Sequence, residues 1–193
     1  MFKSLPKALS TSLEEHTDLS ETRQETLYWL IILILRTGTV SLWRLAAHVP
    51  SRAKTLSVHR RFGRFFQYVY LGGRDMAAML VRMMGLSGKP WTLALDRTNW
   101  KFGKVHINIL VLGVIHDGLC IPLFWVLLPR AGNSNADERI GLLRILLSVF
   151  PDQAVGCILG DREFIGPLWL GWMYERGLPF VMRVRDNIHV WNS

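Results

Sequence analysis

Apolar and polar positions alternate with two different periods along the chain, and the change of period divides it in two. Before residue 85 the pattern is helical. Glu21 to Arg36 opens with good helix formers and runs into the apolar stretch LYWLIILIL, which predicts one helix. Ser41 to Ala47 and Thr55 to Tyr68 predict two more. They are separated by His48-Val49-Pro50-Ser51, where Pro50 disfavours helix at Val49. Two short helices around a tight turn, with Arg60, Arg61 and Arg64 on the second, fit a helix-turn-helix, and any helical hairpin gives the same pattern. The first twenty residues are Ser/Thr/Glu-rich and are expected to be loosely ordered.

After the Gly/Ser/Lys/Pro stretch 85–90, expected to be a linker, short apolar runs replace the helical stripes. Trp91 to Leu95, Ile107 to Ile115 and Leu119 to Leu128 predict three strands. Asp117-Gly118 between the last two is a hairpin signal, and Pro122 marks an edge strand or a bulge. Asp137 to Phe150 predicts a helix with Ile140, Leu143, Leu146 and Leu147 on its apolar face and Asn133, Ser134 or Asn135 as its cap. Ala154 to Leu159 predicts a fourth strand, Pro167 to Arg176 a helix stopped by Gly177, and Phe180 to Val184 a fifth strand. The expected class is α/β. No early strand–helix–strand unit and no glycine fingerprint points to a doubly wound nucleotide fold. The expected division is 1–20 flexible, 21–84 helical and basic, 85–90 linker, and 91–193 the α/β core.

Charge adds a partner class. The chain has 23 basic and 15 acidic residues, a formal net charge of +8. Between Arg36 and Arg74 stand Arg36, Arg44, Arg52, Lys54, Arg60, Arg61, Arg64 and Arg74 with no Asp or Glu, so this window equals the whole net charge. Localised positive charge fits a docking surface for a polyanion, nucleic acid or an anionic membrane surface; the alternative is a solvated helix face. The longest apolar run, Leu27 to Leu35, is far short of the roughly 20 residues that span a bilayer, so it is expected to be a buried helix. A membrane-surface protein is a third reading that rests on this run and the charge, and the expectation adopted is no membrane partner. Cys120 and Cys157 lack metal-ligand spacing and lie in apolar runs. They are expected to be buried free thiols in a cytoplasmic protein.

Two acids carry the candidate chemistry. Asp96 follows the strand WTLAL and Asp161 follows AVGCIL after Gly160. Acidic residues are depleted in strands, so two at equivalent strand exits call for a reason. If the first and fourth strands are neighbours, both carboxylates face one pocket and suit a hard divalent cation. Two such ions about 4 Å apart can activate water and stabilise a leaving oxygen in phosphodiester cleavage. The alternative is that both are turn acids, each capping the next segment of chain. Arg97, Lys101 and Lys104, near Asp96, either hold DNA phosphates or neutralise local acids. Arg162 either orients Asp161 or grips DNA, Asn99 and Trp100 shape the pocket with Trp100 expected in the core, and Arg183 with Arg185 puts two cations on one face of the last strand.

The segments LALDRTNWKFGKVHINILVLGV, LLPRAGNSNADERIGLL and ILGDREFIG resemble the catalytic core of bacterial insertion-sequence transposases of the DDE class, over roughly 91–186. The resemblance implies an RNase H-like mixed five-stranded sheet and DNA strand cleavage and transfer with Mg²⁺ or Mn²⁺. It makes Asp96 and Asp161 the first two catalytic, metal-binding acids. It also implies DNA partners, both transposon ends and target; the basic helices and the cations beside the two acids make Arg52, Lys54, Arg60, Arg61, Arg64, Arg97, Lys101, Lys104 and Arg162 the candidate DNA contacts. Nucleoid association, and assembly with itself or with a full-length transposase, go with the same resemblance. The family's third acid is a Glu on a later helix within a Tyr, Arg, Glu, Lys signature. No acid here occupies that place. Glu163 is too close to Asp161 and is expected to be structural or an outer-shell group, and Asp137 and Glu138 open an earlier helix. The chain is therefore expected to be C-terminally truncated and inactive alone, or to act as a non-catalytic DNA-binding remnant or inhibitor of the full-length enzyme.

Overall fold

The computed structural model describes residues 7–184; Arg185, the second cation of the alternation on the last strand, lies outside them. Two compact units divide the chain, Met1–Met79 and Leu80–Ser193.

The first unit is helical: α1 (Lys7–His16), α2 (Glu21–Thr37), α3 (Leu42–Ala47), α4 (Thr55–Tyr68) and α5 (Gly73–Met83), the last running across the boundary. Helix α1 occupies a stretch whose composition predicts little order. The reason is packing, because Leu13 is fully buried in the cluster built by Leu27, Leu30 and Leu33 of α2. Isolated helices of this length are marginal, and burial of an apolar face decides them. Helix α2 ends at Gly38, whose φ of +63 lets its N–H reach the Ile34 carbonyl. On α4, Val58, Phe62 and Phe65 recur at helical spacing and are buried, which turns Ser57, Arg60, Arg64 and Gln67 outward. All of 48–54 separates α3 from α4, longer than the three- or four-residue turn of a compact helix-turn-helix. A tight turn does form at Pro50, where the Ser51 N–H donates to the Val49 carbonyl at 2.8 Å, but it is only part of this longer connection, and α3 and α4 pack together.

In the second unit the segment 85–90 makes turns and then delivers β1 (Trp91–Phe102), β2 (Val105–His116) and β3 (Leu119–Leu128). Next come α6 (Ala136–Val149), β4 (Val155–Gly160), α7 (Pro167–Glu175) and β5 (Phe180–Met182). The five strands form one mixed sheet in the order β3-β2-β1-β4-β5. The β1–β2 and β2–β3 pairs are antiparallel, and β1–β4 and β4–β5 are parallel. The Asp117-Gly118 turn has positive φ at both residues, as a tight two-residue hairpin requires. Pro122 sits on edge strand β3 opposite Gly113, where the register shifts. A Cβ on Gly113 would lie 2.6 Å from the Cys120 sulfur and 2.7 Å from the Ile121 carbonyl oxygen, so this bulge needs glycine.

Side-chain alternation gives the sheet two unlike faces. Trp91, Leu93, Leu95, Leu110, Leu112, Val114 and Ile158 are buried on one face. Leu142, Leu143 and Leu146 of α6 and Trp169 and Met173 of α7 are buried as well, and α6 packs on β2, β3 and α7. Each fully buried Leu of this set contributes about 2 kcal/mol of hydrophobic stabilisation. Arg139 takes a place on the buried side of α6 where the sequence pattern puts Ile140. The other face carries Ala94, Asp96, Leu159 and Trp125, of which Asp96 and Trp125 are exposed. Cys120 is exposed rather than buried and Cys157 is half-buried, because both lie on this less covered side; the two thiols are free.

Helix α6 starts with a capping box. Asn135 accepts from the Glu138 N–H at 2.9 Å, and the Glu138 carboxylate accepts from the Asn135 N–H at 2.8 Å. The same carboxylate takes two hydrogen bonds from Arg130, and these, ahead of the cap, hold its pKa below the ordinary carboxylate value. A depressed carboxylate stabilises the fold above its unfolded-state pKa and loses that contribution as pH falls through the folded value. Glu138→Gln is expected to lower stability by about 1 kcal/mol at neutral pH. In urea denaturation the deficit should shrink to nothing as pH drops below the carboxylate range; a pH-independent deficit would contradict the assignment.

Candidate active site

Asp96 and Asp161 are placed by one pairing. Leu95 opposite Gly160 is the last parallel pair between β1 and β4, so Asp96 is the next residue on β1 and Asp161 the first residue past β4. Neighbouring strands lie roughly 4.8 Å apart, so the two backbones present these acids side by side. Asp161 continues the extended conformation (φ −77, ψ 172), and the Ala94–Leu159 pair before them sets both side chains on the same, less covered face. The local geometry repeats. Asp96 Oδ1 accepts from the Arg97 N–H at 2.7 Å, and Asp161 Oδ1 accepts from the Arg162 N–H at 2.7 Å. Both residues are exposed. Cys120 registers Asp96 from the same face: its thiol pKa is raised, first by desolvation and then by the Asp96 charge.

Asp96 is not at the end of its strand, where the apolar pattern puts it. β1 continues through Phe102, paired with β2, while its partner β4 stops. The acid therefore stands where a five-stranded sheet narrows.

Behind the acids lies a polar network. Arg97 Nε and Nη2 donate to the two oxygens of Glu163 at 2.8 and 2.9 Å, Nη1 donates to Asn108 Oδ1 at 3.1 Å, and Nη2 also reaches Asn133 Oδ1 at 3.3 Å. The Arg97 and Glu163 side chains are 14% and 21% exposed, well shielded from solvent. The Glu163 hydrogen bonds raise the Arg97 pKa against the opposing cost of its desolvation. Asn108, fully buried on β2, donates to the Arg130 and Gly132 carbonyls. Arg139 donates to Ser134 and to the Glu163 carbonyl and lies over the Phe164 ring, 5.2 Å from its centroid. Burial lowers its pKa, and Glu163 and Glu138 partly offset this.

Of the two roles open to Arg97, the geometry favours neutralising a local acid. Glu163 is that acid, held by two hydrogen bonds from Arg97. Arg162, Lys101 and Lys104 are exposed, as are Arg52, Lys54, Arg60 and Arg64 in the helical unit. Arg61 is half-buried and leans toward Glu25 at 3.8 Å. Arg183 is exposed just past β5 and its N–H donates to the Gly160 carbonyl. Trp100 is 62% exposed, so it is not a core residue. Asn108, Asn133 and Arg139 are not singled out by the sequence as site residues. Asn108 inside INILVLGVI and Arg139 inside the apolar stripe of α6 are the polar interruptions that signal them.

Among the described residues, no group of three or more His, Cys, Asp and Glu side chains is arranged to hold a metal ion. The Asp96–Asp161 pair fits the lesser requirement of Mg²⁺, which binds through one or two carboxylates and takes its other ligands from water and phosphate. Compared with known proteins, the chain matches no family model and no curated protein sequence. No helix among the described residues is long and apolar enough to cross a membrane.

The Arg97–Glu163 pair is shielded and two-pronged, so it should contribute more than the roughly 0–1 kcal/mol typical of a surface ion pair. A double-mutant cycle with Arg97→Gln and Glu163→Gln, read by urea denaturation, is expected to give a coupling of about 2 kcal/mol. A coupling near zero would mean the pair does not hold β1 to the turn after β4.

Proposed function

We propose that the second unit is an RNase H-like catalytic core of the DDE transposase type, a metal-dependent centre for cutting and joining DNA, and that the helical unit docks DNA. The observation that carries this is the Leu95–Gly160 register, which sets Asp96 and Asp161 side by side on one exposed face. An antiparallel meander flanked by two parallel strands, with one acid on β1 and the other directly after β4, is the placement the transposase resemblance requires. The basic, acid-free window from Arg36 to Arg74 supports a polyanionic partner for the helices.

In this reading Asp96 and Asp161 hold Mg²⁺ or Mn²⁺, which when bound supplies Lewis-acid activation of water and neutralises charge developing on the phosphate. The chain's own groups do the rest. Each Asp is oriented through Oδ1 by the N–H of the next residue, and the two carboxylates would hold the ion. Arg97 and Glu163 fasten the strand of one acid to the turn of the other. Arg162, Lys101 and Lys104 are the cations free to take DNA phosphates, and on α4 Arg60 and Arg64 face solvent together.

A second reading has its own support. Glu163 is committed to Arg97, and among the described residues no third acid joins the pair. A non-catalytic DNA-binding protein, acting on transposon ends or on a full-length transposase, fits that geometry.

Plasmid DNA incubated with the chain in Mn²⁺ separates these readings. The first expects no more than residual nicking, because no third acid joins the pair among the described residues, and expects even that to be lost in Asp96→Asn and in Asp161→Asn, with gel-shift affinity unchanged within about twofold. Nicking retained in both variants removes the two acids from the mechanism. A salt-sensitive gel shift with no nicking by the unaltered chain selects the second reading, and no shift at all rejects both.

A further inference from the structure

The β1–β2 hairpin outgrows the sheet. Pairing of β1 with β4 ends at Leu95, and pairing of β2 with β3 begins at Asn108. The pairs Trp100–Ile107, Lys101–His106 and Phe102–Val105 therefore form a two-stranded ribbon with no neighbour on either side among the described residues. The turn at its tip uses Gly103 at φ +60. From Arg97 to His116 the chain contains no acid, and Lys101, Lys104 and His106 are all exposed at the tip. Trp100 is 62% exposed and Val105 is 62% exposed. An exposed indole on an unsupported ribbon gains little for the fold, since its ring is not removed from water.

Alternation places Trp100 on the face of Asp96, four residues further on and roughly 13 Å away along the strand. We propose that this ribbon is a DNA-end clamp in which Trp100 stacks on an unpaired base next to the aspartate pair while Lys101 and Lys104 hold the adjoining phosphates. The inference rests on the DNA-processing reading above and adds to it a preference for unpaired ends. The chemistry is general: every base offers a π face, so an exposed aromatic flanked by cations binds single strands with little regard to sequence. Duplex DNA keeps its bases stacked and offers Trp100 nothing equivalent.

The test uses the full chain and fluorescein-labelled duplexes of equal length, blunt or with a short single-stranded overhang, with anisotropy read in the absence of divalent cations. The unaltered chain is expected to prefer the overhang. Trp100→Ala should weaken overhang binding roughly 5- to 150-fold and leave blunt binding within about twofold. Trp100→Phe should recover most of the loss, which a purely structural role would not require. The double variant Lys101→Ala with Lys104→Ala should lower the salt slope on the overhang by about 1.4. Overhang binding by Trp100→Ala equal to that of the unaltered chain, or Trp100→Phe no better than Trp100→Ala, overturns the clamp while leaving DNA binding intact. Failure of the unaltered chain to bind either probe defeats the DNA reading and the clamp with it.

Discussion

The parallel pairing of β1 with β4 is the constraint on which the site depends. Without it Asp96 and Asp161, distant in sequence, would share nothing but residue type. With Leu95 opposite Gly160, the period-two geometry of strands determines that both acids lie beyond the last shared pair and on one face. A slip of one residue would turn one acid onto the buried face beneath α6 and α7, where an unpaired carboxylate is costly. The buried row of Leu93, Leu95 and Ile158 thus protects the register that brings the two acids together.

Strand pairing alone would leave Asp161 at the start of a loose turn. The network around Arg97 removes that freedom. Glu163 lies two residues beyond Asp161 and Arg97 one residue beyond Asp96, so their two-pronged hydrogen bond ties together the segments that carry the acids. Arg139 holds the same turn from α6 through the Glu163 carbonyl and the Phe164 ring. Buried polar groups of this kind are stabilising only when satisfied, and Asn108 shows the network is complete, with both its amide hydrogens and its oxygen engaged. The network thus gives the two exposed acids rigid support, as the proposed metal-dependent reading would need.

Much of this was legible in the chain. The strands from Trp91 to Phe180, the Asp117-Gly118 hairpin, the edge position of Pro122 and the Asn135 cap follow from local chemistry, and the two acids stood out because strands avoid them. Three features were not legible, for distinct reasons. Helix α1 is decided by the tertiary burial of Leu13, which composition does not carry. The extension of β1 past Asp96 is polar and lacks the apolar alternation that marks a strand, since it has no sheet neighbour to bury against. The partners of Arg97 are far apart in sequence, so spacing could only pose the choice between DNA phosphate and local acid.

The helical unit adds a different kind of surface. Two of its cations lie on the outward side of the amphipathic helix α4, whose apolar residues are spent on the interior, so Arg60 and Arg64 face solvent for reasons of packing. That makes a polyanion partner physically reasonable, and in the proposed reading the aspartate pair would carry the chemistry. The most direct measurement is therefore on those two side chains: crystals soaked in millimolar Mn²⁺ and examined for anomalous scattering. A manganese peak bonded to both carboxylates is expected, at the roughly 2.1 Å of a small hard cation held by oxygen. Carboxylates pointing to opposite faces, or a well-ordered site that takes up no manganese, would contradict it.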